Sequence, residues 1–384
     1  MSRIPIYLTL AGICWGISDA NAQHWYKGNM HTHSLWSDGD DFPESIARWY
    51  KTNGYNFIAV TDHNRLQAGE NWRTVPSGYL TKEIFEKYLN NFGPSVDKQE
   101  QGGAVKVRLK TLAEYQDQYN EAGRFLLLNG EEITSHYSGQ PVHVNAINIK
   151  EVVPRQFGNN ISEILQHAVN GTLHQRESTG QPMFAIINHP NFGRSFGAAE
   201  MMRVQNARFF EVHNGGFPTG NYGDEYHDST EVIWDKVNLH NVQLSRPLLF
   251  GVGNDDTHNY HQMGGNFHNP GRSWVMVNAP SLDATSLVRA MEAGNFYVST
   301  GVILKELVSS EKRIQIRIEA EQGVHYTIQF IGVRQGENKA SILKTVTGTE
   351  GEFKIGSEIL FVRAKILSSK LQKNPYAAGD YETA

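Results

Sequence analysis

Histidine and carboxylate side chains recur directly after short apolar segments between residues 31 and 258. The candidates are His31, His33, Asp38, His63, Glu131, Glu132, His143, His189, Asp256 and His258. His31 and His33 lie two residues apart, and side chains at i and i+2 of a strand point to the same face. Mixed imidazole and carboxylate ligands suit Zn, Mn or Fe. The pattern therefore predicts a site for divalent cations, with more ligands than one ion requires.

Seven apolar segments predict the strands that position these side chains. They are Lys27–Met30, Phe57–Thr61, Phe125–Asn129, Val142–Ile149, Met183–Asn188, Phe209–His213 and Leu248–Gly253. Helical patterns fall between several of them, for example at Pro43–Lys51, Thr111–Ala122 and Ile161–Val169. Strands separated by helices indicate a parallel sheet, and this many units indicate a closed barrel. The strand ends of such a barrel meet at one face, where the ligands would gather.

The character of the sequence changes after about residue 304. Alternating and β-branched segments separated by glycine-containing turns predict a small all-β domain. We therefore expect a signal peptide at 1–22, a metal-binding barrel at 23–303, a β-sandwich-like domain at 304–370 and a polar tail at 371–384.

The first residues have the pattern of an export signal. Arg3 precedes the apolar segment Ile4–Ile17, and Ala20-Asn21-Ala22 fits a cleavage site after Ala22. Cys14, the one cysteine, lies inside this segment, so the mature chain would form no disulfide. The sequence predicts an exported protein, periplasmic or secreted, with no membrane span once the signal is cleaved.

The net charge of the chain argues against a nucleic-acid scaffold. It is −5 at pH 7, and Lys and Arg form no basic run. Proteins that bind polynucleotides tightly usually carry a basic face. We expect no stable nucleic-acid partner, and the oligomeric state stays open.

In this order, the motifs resemble those of the PHP (polymerase and histidinol phosphatase) family of metal-dependent phosphoesterases. The matching segments are His31-Thr32-His33 with Ser37-Asp38-Gly39, Thr61-Asp62-His63-Asn64, Gly130-Glu131-Glu132-Ile133, His189-Pro190 and Asp256-Thr257-His258. The resemblance extends from about Lys27 to Thr300. It implies an α/β fold, a distorted (β/α)7 TIM-like barrel, with two or three divalent metal ions.

The resemblance also implies a role for each ligand. The family's glutamate commonly follows a glycine by two residues and precedes a histidine by about eleven, which selects Glu132 over Glu131. The implied first ion is bound by His31, His33, Glu132 and Asp256. The second is bound by Glu132, His143 and His189, and the third by Asp38, His63 and His258.

Other features resemble an exported branch of the family related to the carbaryl hydrolase group. They are the export signal, the long insertion between Asn64 and Leu109, the β-domain and the segment Asn295–Gly301. This resemblance makes a substrate other than a phosphomonoester more plausible.

The predicted reaction is hydrolysis of a small-molecule phosphoric ester, a monoester or a diester, by a metal-bridging hydroxide. Arg194, five residues after His189, is a candidate phosphate clamp, although the alternative of a surface arginine on the next helix is slightly favoured. His213, or alternatively His261, is a candidate acid for the leaving group.

Three alternatives stay open at this stage. A metal-dependent carbamate, carboxyl-ester or amide hydrolase would share the barrel, but the better-known amidohydrolases use a modified lysine on a middle strand. Here that strand offers His143, and Lys150 lies beyond its end. The other two are an oligonucleotide exonuclease or phosphatase, and a non-catalytic binding module.

Overall fold

The computed structural model describes residues 24–384, so the predicted signal segment and Cys14 lie outside the described residues. Strands are β1 (His24–Asn29), β2 (Phe57–Val60), β3 (Trp72–Val75), β4 (Lys98–Gln101), β5 (Ala104–Arg108), β6 (Leu126–Tyr137), β7 (Gln140–Ile147), β8 (Phe184–Ile187), β9 (Phe209–Asn214), β10 (Phe250–Asn254), β11 (Trp274–Ala279), β12 (Phe296–Ser299), β13 (Leu304–Ser309), β14 (Arg313–Ile318), β15 (Tyr326–Arg334), β16 (Ser341–Thr347), β17 (Glu350–Lys354), β18 (Ile359–Leu371) and β19 (Tyr381–Thr383). Helices are α1 (Pro43–Thr52), α2 (Lys82–Phe92), α3 (Leu112–Tyr119), α4 (Ile161–Thr179), α5 (Ala198–Met201), α6 (Thr230–Gln243) and α7 (Ala284–Glu292). Among these, none is long and apolar enough to cross a membrane.

The main sheet has nine strands in the order β10-β9-β8-β7-β6-β2-β1-β11-β12, so the α/β, barrel-like character is confirmed. The expectation of seven parallel strands is corrected in two respects. β11 and β12 extend the sheet, and β7 and β11 run antiparallel to their neighbours. The sheet nearly closes, because His33 N donates to Thr257 O (2.9 Å) and Asp256 N donates to His31 O (2.9 Å).

The reversed direction of β7 follows from a tight turn. Ser138 and Gly139 have φ of 49° and 82°, and they join β6 to β7 as a two-residue hairpin. Positive φ at both positions is the geometry that two-residue hairpins favour. Because β7 runs backwards, His143 near its start lies at the same end of the sheet as the C-terminal ends of β2, β8 and β10.

Apolar side chains on both faces of the sheet hold the barrel together. β2 and β8 are buried along their whole length, as expected for strands covered on both sides. Inside lie residues such as Met30, Phe184 and Phe209, and outside the strands pack on helices such as α4. α4 begins after the side-chain cap of Asn160, and it ends where Gly180 takes a left-handed conformation.

The insertion after β2 is an ordered unit. The small sheet β3-β5-β4 and helix α2 share a core that includes Phe85, Tyr88 and Val107. The same core contains Trp36 and Phe42, which flank the turn that carries Asp38.

The C-terminal region consists of two sheets, β13-β14-β17 and β16-β15-β18-β19, around one core that includes Ile316, Ile328 and Phe330. Within residues 371–384, β19 pairs with β18, and the Tyr376 hydroxyl accepts a hydrogen bond from Gly220 N (2.9 Å) on a barrel loop. The final segment therefore contacts both regions.

Candidate metal centre

A buried glutamate, Glu132, lies at the centre of the predicted cluster and is 1% exposed. Five imidazoles surround its carboxylate. Their ring nitrogens approach its oxygens at 3.2 Å (His31), 3.5 Å (His33), 2.8 Å (His63), 3.0 Å (His143) and 3.3 Å (His189). Glu132 is thus placed to bridge ions held by different histidines.

Two aspartates complete the cluster. Asp256 Oδ1 lies 3.1 Å from His31 Nε2 and 3.2 Å from His33 Nε2. Asp38 lies 3.3 Å from His63 Nε2 and 3.5 Å from His258 Nε2. The structure therefore brings all nine predicted ligands together, from positions spread over more than two hundred residues.

The ligand atoms fall into overlapping groups, each compact enough for one ion. They are His31 with His33 and Asp256, His31 with Glu132 and His189, and His33 with Asp38, His63 and His258. These groups follow the three implied ions in part, since Glu132 is absent from the first group and His143 from the second. In addition, His31 contributes to the second group and His33 to the third.

The donor set fits divalent cations. Ligands that each lie about 2.1 Å from one ion are separated by roughly 3 Å, which matches the contacts above. Among the residues that the structure describes, the buried atoms His31 Nε2, His33 Nε2 and Asp38 Oδ1 have no hydrogen-bond partner. Buried polar atoms are rarely left unsatisfied, so these atoms point to a ligand.

Charge within the cluster distributes protons unevenly. Burial disfavours a charged His63, but Glu132 and Asp38 outweigh it and raise its pKa to about 11. Burial, together with the rings of His258 and His63, lowers the pKa of His33 to about 3. The carboxyl pKa of Glu132 is held well below its usual value, because His143, His31 and His63 outweigh the effect of burial. The carboxylates are therefore ionised, and protons occupy some of the imidazoles.

Glu211 on β9 contacts the cluster, and the sequence did not predict it as a member of the site. Its Oε1 accepts a hydrogen bond from His31 Nδ1 (2.7 Å), and its Oε2 accepts one from the backbone N of His189 (3.0 Å). Holding the proton on Nδ1 leaves His31 Nε2 free to face the cluster. A charged residue inside the apolar segment Phe209–His213 was the available signal.

Buried asparagines at the strand ends support the same arrangement. Asn188 Nδ2 donates to Glu132 Oε1 (2.8 Å), and Asn254 Nδ2 donates to Glu211 Oε1 (3.1 Å). Asn145 Nδ2 donates to the backbone oxygen of Met30 (3.0 Å). The amides of Asn188 and Asn254 thus help to fix the rotamers of the two acids, and Asn145 ties β7 to the residue that follows β1.

Asp62 organises the turn that carries Asp38. It accepts hydrogen bonds from Ser34 N (2.8 Å), Ser37 Oγ (2.6 Å) and Gln67 Nε2 (2.7 Å). Its carboxylate is therefore occupied by the turn rather than by a cation.

Glu131 points to the opposite face of β6 from Glu132. The backbone N of Val153 donates to one of its oxygens, and burial raises its carboxyl pKa to about 8. The alternation of side chains along a strand places this residue away from the cluster.

His268 is a second residue that the sequence analysis did not assign. It forms a fourth compact group with Asp256 and His258, and its ring lies 4.9 Å from that of His258. The ring fits here because Gly216 has no side chain, and a Cβ at that position would lie 2.5 Å from His268 Nδ1.

The structure does not bring the two predicted catalytic residues to the cluster. The exposed side chain of Arg194 pairs with Asp224 (3.2 Å). His213 lies beyond a β-bulge at Val212, which turns its ring toward the β-domain. The alternative acid, His261, contacts Asp41 (3.4 Å) and Lys87 (3.1 Å).

No family model matches the sequence, and no curated protein matches it. One similar solved structure is a two-domain protein from Bacteroides vulgatus that contains a predicted PHP-like metal-dependent phosphoesterase. It is 14% identical to this chain, with a TM-score of 0.44 over 94% of each chain. An amidohydrolase from Chromobacterium violaceum, with bound sulfate and no metal, is 14% identical with a TM-score of 0.33, over 61% of this chain and 88% of its own. A candidate metal-dependent phosphoesterase from Bifidobacterium adolescentis is 11% identical with a TM-score of 0.31, over the same shares. Because all three TM-scores are below 0.5, the functional assignment depends on the motifs and the geometry of the site.

Proposed function

We propose that this chain is an exported PHP-type metallohydrolase that cleaves phosphoric esters, monoesters or diesters, with two or three divalent cations. The observation that supports this most is the buried carboxylate of Glu132 surrounded by five imidazoles, with unpartnered ligand atoms beside it. Such a cluster combines ligands for several adjacent ions, as multi-metal phosphoesterases require.

The chain presents one side of the cluster to solvent. The side chains of Asp38, His63 and His258 are 35%, 25% and 20% exposed, whereas His31 and His33 are fully buried. A substrate would therefore approach from the side of Asp38.

Bound cations would supply Lewis acidity and lower the pKa of a coordinated water to about 7. The chain's own contribution is orientation. Glu211 holds the His31 ring, Asp62 holds the turn before Asp38, and Glu132 is buried. Rigid ligands need no rearrangement when charge develops on the reacting phosphoryl group.

The direction of β7 argues against the arrangement of the lysine-bridged amidohydrolases. Lys150 follows the end of β7, at the opposite end of the strand from His143, and it is exposed. It therefore cannot bridge ions in the cluster, which favours phosphoester over amide or carbamate substrates.

The proposal is tested with purified protein loaded with Mn, Zn or Fe and assayed on p-nitrophenyl phosphate, bis-p-nitrophenyl phosphate and a p-nitrophenyl carbamate. We expect turnover of at least one phosphoester and its loss in Glu132→Gln. Glu131→Gln is the matched control, since this neighbouring carboxyl faces away and its raised pKa keeps it largely protonated near neutral pH. Turnover of the carbamate alone would overturn the phosphoester assignment.

A further inference from the structure

A cavity lies where the main sheet fails to close. β10 and β12 are the two edges of the nine-stranded sheet, and they form no ladder with each other. The C-terminal sheets cover this gap and leave a space of about 280 Å³ between the two regions. It is separate from the metal cluster, since none of the nine ligands lines it.

The walls of this interdomain cavity are mostly apolar. Trp234, Phe250 and Phe296 line it from the barrel side, and Leu307 and Ile316 line it from the β-domain. A dry cavity of about 150 Å³ can hold benzene, and ligand pockets begin at roughly 300 Å³. The space therefore suits a molecule of one or two rings.

The charged side chains at the rim neutralise one another. Arg363 pairs with Asp235 (2.8 Å) and Glu231 (3.1 Å), and Lys365 also pairs with Glu231. The charged side chains that line the cavity, those of Glu231, Arg363 and Lys365, therefore all have ionic partners.

One polar atom in the wall has no such partner. His213 Nδ1 is buried, and it makes no hydrogen bond within residues 24–384. Burial lowers the pKa of His213 to about 4, so its ring is neutral at pH 7. An unpaired buried nitrogen costs free energy that a ligand's hydrogen bond would recover.

We propose that the interdomain cavity binds a small, neutral, largely apolar molecule carrying a hydroxyl group that hydrogen-bonds to His213 Nδ1. The apolar walls would cover the ring or chain of this ligand. A hydroxyl suits the site because it can donate or accept, whichever tautomer His213 adopts.

The test is isothermal titration of the full chain with 4-propylphenol. We expect saturable binding of one molecule per chain. His213→Phe keeps the ring and removes the nitrogen, and it should weaken binding about tenfold. Leu307→Trp fills the cavity and should abolish binding, while Ile342→Trp adds the same side chain at a position that is 54% exposed and should leave binding intact.

Thermal melts confirm that each variant is folded before titration. Absence of saturable binding by the unaltered chain would overturn the proposal. Equal binding by the unaltered chain and a folded Leu307→Trp, or displacement of 4-propylphenol by inorganic phosphate, would also overturn it, because the probe would then bind elsewhere.

Discussion

At the residue scale, the adjacent glutamates Glu131 and Glu132 have opposite environments and opposite shifts of the carboxyl pKa. Glu132 is surrounded by imidazoles and stays ionised, whereas Glu131 faces an apolar layer with a raised pKa. Successive side chains of β6 point to opposite faces of the sheet, and this alternation explains the difference. The position of a residue along its strand therefore decides whether it can be a ligand. Residues such as Glu211 hold the ligands in the required orientation.

Glu211 supports the ligand His31, and its substitution should weaken cation binding although every ligand remains. Glu211→Gln loses the charge that holds His31 Nδ1–H, and we expect metal affinity to fall about 10- to 100-fold. Competition with a chromophoric chelator measures this, with Glu225→Gln on an exposed loop as control. Unchanged affinity would show that Glu211 does not position His31.

Cation binding should release protons. The pKa of His63 is raised to about 11, and those of His31, His189 and His258 are also raised by neighbouring carboxylates despite burial. At pH 7 a cation must displace these protons, so its apparent affinity should rise with pH. Titration calorimetry in buffers of different ionisation enthalpy counts the protons, and a count of zero at pH 7 would contradict this charge distribution.

Most of the ligands could be predicted from sequence because they directly follow apolar segments or flank them at i, i+2 spacing, whereas His143 interrupts such a segment. Glu211 also interrupts an apolar segment, but its partner His31 is 180 residues away, so only the fold shows that it supports a ligand. His268 follows no strand, and only the folded loop brings it beside His258.

At the element scale, the strands were largely predicted but not all their directions. The hairpin at Ser138-Gly139 was a visible turn signal that reverses β7, and the continuous apolar segment at the start of Trp274–Ala279 was a visible strand signal. The bulge at Val212 has no comparable signal, because it depends on pairing between β9 and β10. That pairing decides where His213 points.

The insertion after β2 should stabilise the turn that carries Asp38. Arg73 Nη2 donates to the backbone oxygens of Leu35 and Trp36, and Phe85 packs in the same core as Trp36. Phe85→Ala leaves a cavity costing about 3–5 kcal/mol. We expect faster hydrogen exchange in residues 34–39, with exposed Glu86→Ala as control, and equal exchange in the two variants would contradict this support.

At the scale of the whole molecule, the barrel and the β-domain share buried charge and apolar contacts. Leu239 on α6 packs with Val333 and Phe361, and Arg363 reaches the acids of the same helix. The sequence indicated a change of character near residue 304, but it could not indicate these contacts, because they join residues far apart in the chain, such as Asp235 and Arg363 at a separation of 128.

Breaking this interdomain ion pair should destabilise the protein. Arg363→Ala leaves the negative charges of Asp235 and Glu231 partly buried without their arginine partner. Loss of one partner of a buried ion pair typically lowers the free energy of unfolding by about 3–5 kcal/mol. Solvent screens the exposed pair of Arg124 and Glu121, so Arg124→Ala is the matched control and should change stability little. Denaturant unfolding should separate the two variants, and equal stabilities would contradict a structural role for this pair.

The central claim is that dispersed histidines and acids bind several cations around Glu132. Anomalous diffraction at the Mn, Fe and Zn edges, on crystals of the full chain saturated with each metal in turn, tests it most directly. The predicted result is at least two anomalous peaks beside the Glu132 carboxylate, one of them within coordination distance of His31, His33 and Asp256. A cluster without anomalous peaks at saturating metal would contradict it.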